Sequence, residues 1–193
     1  ETDDQLFVWV PALGVLMPGD NYYRAFPNLY TIRGTRPRPV KTWIESLDRM
    51  RALSPRWLVP SHTTPIEGEE AVRRALMRYR DGIQWVRDQV VKGANAGLSV
   101  DDIVASTGLP PGLADEPALY ELYGQVDWSA RAIYGNELGW FDGEAADLYP
   151  LTPAQLAGQS VALMGGSEGV ESAAREALAQ GEHRWALHLL ALL

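Results

Sequence analysis

The chain has 193 residues, of which 46% are hydrophobic and 22% are charged, as is usual for a globular protein with a buried core. Its 25 acidic and 17 basic side chains give a formal charge of −8, which argues against a nucleic-acid-binding protein because phosphate contacts need a basic face. The chain contains no cysteine, which excludes disulfide bonds, thiolate metal ligands and cysteine nucleophiles, and no apolar run is long enough to span a bilayer.

The first sixty residues have the pattern of short strands separated by a helix. Residues 6–17 contain two runs rich in β-branched and aromatic side chains, joined by the turn sequence Pro-Ala-Leu-Gly at 11–14, and they predict a β-hairpin. From Pro39 to Leu53 apolar residues recur every three or four positions, which predicts a helix with one buried face. Residues 57–60 predict a further short strand.

The remainder of the chain has helical patterns. A long helix is predicted from Glu69 to Lys92, with Gly93 as its stop. Ser99, with an aspartate three residues later, predicts the start of a short helix that residues 109–112 break. Paired helices near the carboxyl terminus suggest stacked helical hairpins. No strand pattern follows residue 60, so we expect an α/β part followed by an all-α part.

Three groups of zinc-type ligands are predicted to lie on loops. His62 follows the 57–60 strand, whereas Asp20 and the acidic residues at 1–4 lie at opposite ends of the hairpin, which brings its ends together. Hydrolytic zinc takes histidine and carboxylate ligands and leaves a position for water. Taken alone, each of these side chains is more often structural or solvated. His183 and His188 are five apart on a helix, which suits no shared metal, and we expect them on the surface or in packing.

Asn28 and Arg33 lie in the loop that follows Asp20. The planar fork of Arg33 suits a sulfate, phosphate or carboxylate, and Asn28 adds a neutral donor. The alternative is that Arg33 only pairs with a surface acid.

The aromatic segment from Tyr120 to Trp140 is more apolar than a solvated helical surface should be, and it predicts a homodimer interface that includes Trp128 and Trp140. Other tryptophans fall on apolar faces and are predicted to lie in the core: Trp9, Trp43, Trp57 and Trp85.

An ordered series of motifs resembles the alkyl sulfatases of the metallo-β-lactamase superfamily along nearly the whole chain. The series comprises Gly19-Asp20-Asn21, Asn28-Leu29-Tyr30-Thr31-Ile32-Arg33-Gly34, Ser61-His62 with Pro65 and Gly68, Tyr79-Arg80-Asp81, Tyr123-Gly124, Gly139-Trp140-Phe141-Asp142-Gly143 and Trp185-Ala186. The resemblance implies that residues 1–106 are the carboxyl-terminal half of a metallo-β-lactamase αββα sandwich. It implies that residues 107–193 are a helical dimerisation domain, incomplete at its end.

The resemblance also implies an activity and a set of site residues. The activity is attack of water on an alkyl sulfate ester, giving an alcohol and inorganic sulfate at a site with two zinc ions. Glu1 matches a metal-binding glutamate, Asp20 the acidic ligand that bridges the two zincs, and His62 a ligand of the second zinc. Asn28 and Arg33 match positions that hold the sulfate group, so Asp20 and Arg33 are the expected catalytic residues.

The superfamily's His-x-His-x-Asp-His motif, which supplies most zinc ligands, is absent from these 193 residues. The chain also begins without methionine and ends inside an apolar helical pattern, so we expect it to be a piece of a longer enzyme and inactive by itself. Localisation, the length of the alkyl group and the ester bond that breaks remain open.

Two other functions are compatible with the sequence. The family's usual acidic ligand at the position of Asp20 is glutamate, which leaves open a zinc hydrolase of the same superfamily acting on a carboxylic or phosphate ester. The second alternative is a non-catalytic helical module, in which the tryptophans and the alanine-rich helices form a homodimer.

Overall fold

The computed structural model describes Thr2 and residues 4–193, and within them the chain divides into two compact units. One unit ends at Asp142 and the other spans Gly143–Leu193. The predicted domain boundary between residues 106 and 107 lies inside the first unit and stays a prediction. An α/β part followed by helices is what the structure contains, and most of the chain is helical.

The first unit contains a small sheet. Its strands within the described residues are β1 (Val8–Val10), β2 (Val15–Met17), β3 (Trp57–Leu58) and β4 (Ile66–Glu67), in the order β1-β2-β3-β4. The predicted hairpin is confirmed: β1 and β2 are antiparallel, and Gly14 closes the turn with a φ of 62°, a left-handed conformation that glycine adopts without strain. β2 and β3 are parallel, with Leu16 opposite Leu58.

The expectation that no strand follows residue 60 is wrong. β4 comprises only Ile66 and Glu67 and pairs antiparallel with β3, Leu58 lying opposite Ile66. Two residues are too few to show alternation, and their extended conformation depends on pairing with β3.

Helix α1 (Val40–Ala52) connects the two parallel strands, as its apolar periodicity predicts. Its buried face includes Trp43, Leu47 and Met50, which lie in the main core. Of the other tryptophans predicted in the core, Trp9 and Trp85 pack against it while partly buried, and Trp57 is half-buried.

Helix α2 (Glu69–Asn95) is longer than predicted because Gly93 lies inside it and does not end it. A Cβ at Gly93 would lie 2.6 Å from Ile103 Cγ1, and one at Gly82 would lie 2.7 Å from a methyl of Leu119. These glycines therefore allow neighbouring segments to approach α2 closely. The left-handed glycine beyond the helix is Gly97, with a φ of 75°.

Helix α1 packs on α2, and so do helices that follow α2 in the chain. α3 (Val100–Ser106) begins as predicted, since Ser99 Oγ accepts a hydrogen bond from the backbone N–H of Asp102 at 3.1 Å. α5 (Val126–Glu137) is joined to α2 by a bidentate ion pair, in which Arg87 Nη2 lies 2.9 Å from Glu137 Oε2. Between them lies the short helix α4 (Pro111–Ala114).

The second unit is helical throughout. It contains α6 (Ala145–Leu148), α7 (Pro153–Leu163), α8 (Ser167–Ala179) and α9 (His183–Leu190). α8 and α9 pack as a hairpin around Val170, Ala174 and Leu189, which confirms the pairing predicted from the sequence. His183 and His188 are exposed, as expected. No described helix combines the length and the apolar character that spanning a membrane requires.

Candidate active site

Asp20 and His62 meet at one edge of the sheet. Each residue lies four positions beyond a member of the Leu16–Leu58 pair of the parallel strands. The carboxyl ends of parallel strands lie at the same edge, where α/β proteins commonly bind ligands. His62 Nε2 lies 3.2 Å from Asp20 Oδ1, with 70% and 34% of the two side chains exposed. The structure therefore brings together two of the predicted metal ligands.

The turn that carries Asp20 is fixed to helix α1 by its neighbour Asn21. The carbonyl oxygen of Asn21 accepts a hydrogen bond from Trp43 Nε1 at 2.9 Å, and its side-chain amide donates to Ser46 Oγ at 3.3 Å. The strand containing Leu58 is joined to the same turn, because the N–H of Ser61 donates to the carbonyl of Gly19. These contacts fix the backbone of the turn that carries Asp20 from both neighbouring elements.

A cavity of about 320 Å³ opens beside this pair. It is lined by Asp20, Tyr23, Arg24, Ala25, His62, Thr63 and Tyr123. Tyr23 and Tyr123 meet edge to face, with ring centroids 5.8 Å apart. The cavity thus combines titratable and hydrogen-bonding groups with an aromatic wall.

Tyr22 and Tyr79 lie beneath this wall and are almost completely buried. Their ring centroids are 4.9 Å apart, and Tyr79 also contacts the ring of Tyr23 at 6.1 Å. Burial raises the pKa of Tyr22 to about 12 and that of Tyr79 well above its usual value. Both phenols therefore stay neutral at physiological pH and act as packing groups under the cavity.

Asn28 and Arg33 do not line the cavity beside Asp20 and His62. Asn28 is buried, and its N–H donates to Tyr23 Oη at 2.7 Å, which fixes the loop. Arg33 is exposed and lines another cavity, of about 780 Å³. That cavity is lined by Thr2, Asp4, Arg33, Thr35, Arg36, Pro37, Arg38, Pro39 and Asn136. The role of both residues in holding sulfate stays a prediction.

Asp20 and His62 fit part of a zinc site. Two ligand atoms of a tetrahedral zinc ion, each bound at about 2.0–2.1 Å, lie about 3.4 Å apart, close to the 3.2 Å between His62 Nε2 and Asp20 Oδ1. Both side chains also reach solvent, so a metal ion can approach them. Within Thr2 and residues 4–193, no group of three or more histidine, aspartate or glutamate side chains is arranged to hold a metal. Glu1, the third predicted ligand, lies outside the described residues.

Tyr23 and Tyr123, which form the aromatic wall, are not among the site residues predicted from the sequence. Tyr23 follows Asp20 by three residues, and this closeness in the sequence could have indicated that Tyr23 lies at the site. Tyr123 follows Asp20 by more than a hundred residues, and only the tertiary fold brings its ring to the cavity.

Comparison with known proteins confirms the resemblance seen in the sequence. Residues 99–193 match the family described as alkyl sulfatase dimerisation. A linear primary-alkylsulfatase from Pseudomonas is 40% identical over 191 residues, covering 98% of this chain and 36% of that protein. An (R)-specific secondary-alkylsulfatase from Pseudomonas is 31% identical, covering 98% and 29%. The chain therefore spans about a third of the length of these curated relatives.

Solved structures of alkylsulfatases also resemble this chain. The stereoselective inverting sec-alkylsulfatase Pisa1 from Pseudomonas superposes with a TM-score of 0.89 at 31% identity, over 95% of this chain and 30% of that one. A double variant of the same enzyme gives a TM-score of 0.90.

Proposed function

Because the chain is homologous to alkyl sulfatases along nearly its whole length, and matches their dimerisation family over residues 99–193, we propose that the full-length protein hydrolyses alkyl sulfate esters to an alcohol and inorganic sulfate. The observation that carries the proposal is the pairing of Asp20 with His62 at the carboxyl ends of parallel strands. These two side chains, of types that can bind zinc, line a cavity large enough for a small ester, and this supports the proposal.

In this proposal residues 1–106 form the second half of a metallo-β-lactamase αββα sandwich. Asp20 and His62 hold zinc, with Glu1 and the histidine-rich motif of the superfamily completing a site for two ions. When bound, the ions would lower the pKa of a coordinated water to near neutrality and add positive charge at the ester. The contacts of Asn21 with α1 fix the backbone of the turn from which Asp20 would bind the metal.

Arg33 and Asn28 are proposed to bind the sulfate group. Support comes from the charge around Arg33, whose guanidinium shares its cavity with Arg36 and Arg38. Three arginines and one described carboxylate, Asp4, line this cavity, so cationic side chains outnumber anionic ones there and favour an anion. The planar fork of a guanidinium can donate two parallel hydrogen bonds to sulfate oxygens. Asn28 is positioned by the loop that Tyr23 closes.

We further propose that the protein is a homodimer formed through residues of the 99–193 segment. Large apolar side chains are exposed there, including Trp140 at 72% and Trp128 at 41%, and the rings of Trp140 and Phe141 contact each other. In the second unit Leu156, Leu163 and Leu187 are also exposed. In each unit, taken by itself, these exposed side chains are more apolar than an isolated domain needs. Their exposure also favours the second candidate function, a dimerisation module without catalysis.

The test is Asp20→Asn in the full-length protein, with zinc per chain measured by elemental analysis and turnover measured on hexyl sulfate. Asparagine keeps the size of the side chain but removes its charge, so we expect zinc content and turnover to fall together. Asp115→Asn, an exposed carboxylate outside the cavity, is the matched control and should keep both.

Three other outcomes would contradict parts of this proposal. Turnover that survives Asp20→Asn would remove Asp20 from the site. A wild-type protein that binds zinc and cleaves a phosphate or carboxylic ester, but no alkyl sulfate, would favour another hydrolase of the superfamily. A dimer that binds no zinc would favour the non-catalytic module.

A further inference from the structure

The aromatic wall beside Asp20 and His62 joins two parts of the chain that are distant in sequence. Tyr23 and Ala25 lie close after Asp20 in the sequence, whereas Tyr123 belongs to the segment that matches the dimerisation family. The edge-to-face contact of the two tyrosine rings makes one continuous apolar surface within the cavity. A segment related to dimerisation therefore supplies part of the wall of the candidate active site.

Tyr123 is held at the cavity by the backbone on both sides of it. The N–H of Phe26 donates to the carbonyl of Tyr120 at 2.8 Å, and the N–H of Gly124 donates to the carbonyl of Phe26 at 3.1 Å. Gly124 also approaches the loop so closely that a Cβ there would lie 2.1 Å from Pro27 O. The position of the Tyr123 ring is thus set by main-chain contacts with the loop that carries Tyr23.

The two tyrosine rings of the aromatic wall differ in how much of their surface is exposed. Tyr23 is buried, its Oη accepts a hydrogen bond from the N–H of Asn28, and its ring packs on Tyr79. Tyr123 is 52% exposed, so much of its ring remains free to contact another molecule. An alkyl chain makes no hydrogen bonds and gains only from burial, at about a fourfold increase in affinity for each methylene removed from water. The exposed aromatic face beside Asp20 and His62 is a surface on which an alkyl chain can be buried.

We propose that Tyr123, with Tyr23 and Ala25 beside it, contacts the alkyl chain of the substrate and sets the enzyme's preference for chain length. This inference rests on the proposed sulfatase function and adds a specificity-determining residue to it. Tyr123 takes no part in bond cleavage, so it acts on how well the alkyl group is bound near Asp20 and His62.

The experiment compares ethyl sulfate with hexyl sulfate as substrates of the full-length, zinc-loaded protein. Tyr123→Ala should lower kcat/KM for hexyl sulfate about tenfold, the loss of one to two buried methylenes, and change that for ethyl sulfate less than twofold. Tyr123→Phe keeps the aromatic ring, so its kcat/KM for both substrates should equal that of the wild type. Tyr120→Ala, which removes a tyrosine from the same segment but from outside this cavity, should leave the ratio of the two substrates unchanged.

A second measurement does not depend on turnover. Hexanesulfonate, which cannot be hydrolysed, is titrated into the wild type, Tyr123→Ala and Tyr123→Gln by calorimetry, with thermal melting as the check of folding. Weaker binding by both variants at unchanged melting temperature is the expected result.

Loss of turnover for both substrates to the same extent, or no change for hexyl sulfate, would overturn the inference while leaving the sulfatase function in place. A wild-type protein with no turnover of either sulfate would instead overturn the proposed function on which the inference rests.

Discussion

The close approach of Gly124 to the loop at residues 26–27 predicts that Gly124→Ala destabilises the protein. A Cβ at this position would lie 2.1 Å from Pro27 O and 2.8 Å from Phe26 O, distances far below van der Waals contact. Both oxygens belong to the backbone, so no change of side-chain rotamer relieves the clash. The segment around residue 124 must therefore move away from the loop.

The size of the effect follows from the hydrogen bonds that this movement breaks. The bond from the Gly124 N–H to the Phe26 carbonyl is lost, and the bond from the Phe26 N–H to the Tyr120 carbonyl is lost or weakened. At about 1 kcal/mol each, the loss of these bonds lowers the free energy of unfolding by about 2 kcal/mol before the other effects of alanine are counted. The gain of about 0.4–1 kcal/mol that alanine usually brings by restricting the unfolded chain offsets only part of this loss.

The assay is urea unfolding followed by tryptophan fluorescence, with Gly135→Ala as the matched control. Gly135 is an exposed residue of α5, and nothing lies within 4 Å of the Cβ it would gain. Because alanine is the better helix former, this control should be up to about 1 kcal/mol more stable than the wild type. If Gly124→Ala were as stable as Gly135→Ala, the close contact would not exist, and Tyr123 would not be held beside Asp20.

Two further predictions concern pH and assembly. Since burial raises the pKa of Tyr22 from 10 to about 12, the unfolded tyrosine ionises first as pH rises, and stability is lost between pH 10 and 12. From pH 9 to pH 11, the wild type should lose about 1.4 kcal/mol more unfolding free energy than Tyr22→Phe in urea titrations, and equal losses would contradict the assigned burial. Trp140→Ala should lower the average mass of the full-length protein in light scattering at micromolar concentration, whereas Leu13→Ala, exposed in the hairpin turn, should not. An unchanged mass for Trp140→Ala would remove this residue from the interface.

Local patterns were sufficient to predict the elements that form the site. The hairpin, α1 and the 57–60 strand have clear apolar patterns, and their polar ends identify Asp20 and His62 as neighbours. β4 could not be predicted, because two residues carry no periodicity and their conformation is imposed by β3. The end of α2 was misplaced because Gly93 serves the packing of Ile103, which the sequence around the glycine does not show.

The rest of the site depends on tertiary contacts. Arg33 is close to Asp20 in sequence, yet its side chain lines a different cavity, since proximity along a loop does not determine where a side chain points. Tyr123 reaches the site only because residues 120–124 pair with the loop at residue 26. Contacts between residues so far apart leave no local pattern.

The glycines inside α2 have a consequence for how the first unit folds. Glycine in a helix interior is less favourable than alanine by about 1 kcal/mol, so Gly82 and Gly93 weaken α2 as an isolated helix. The space they leave is filled by Leu119 and Ile103, residues that follow α2 in the chain. The stability of α2 is therefore supplied by its neighbours and not by its own propensity. Helix α2 and the segments that carry Ile103 and Leu119 should therefore form and melt together as one cooperative unit. The edge of the sheet and the helices that follow α2 should consequently lose their structure together.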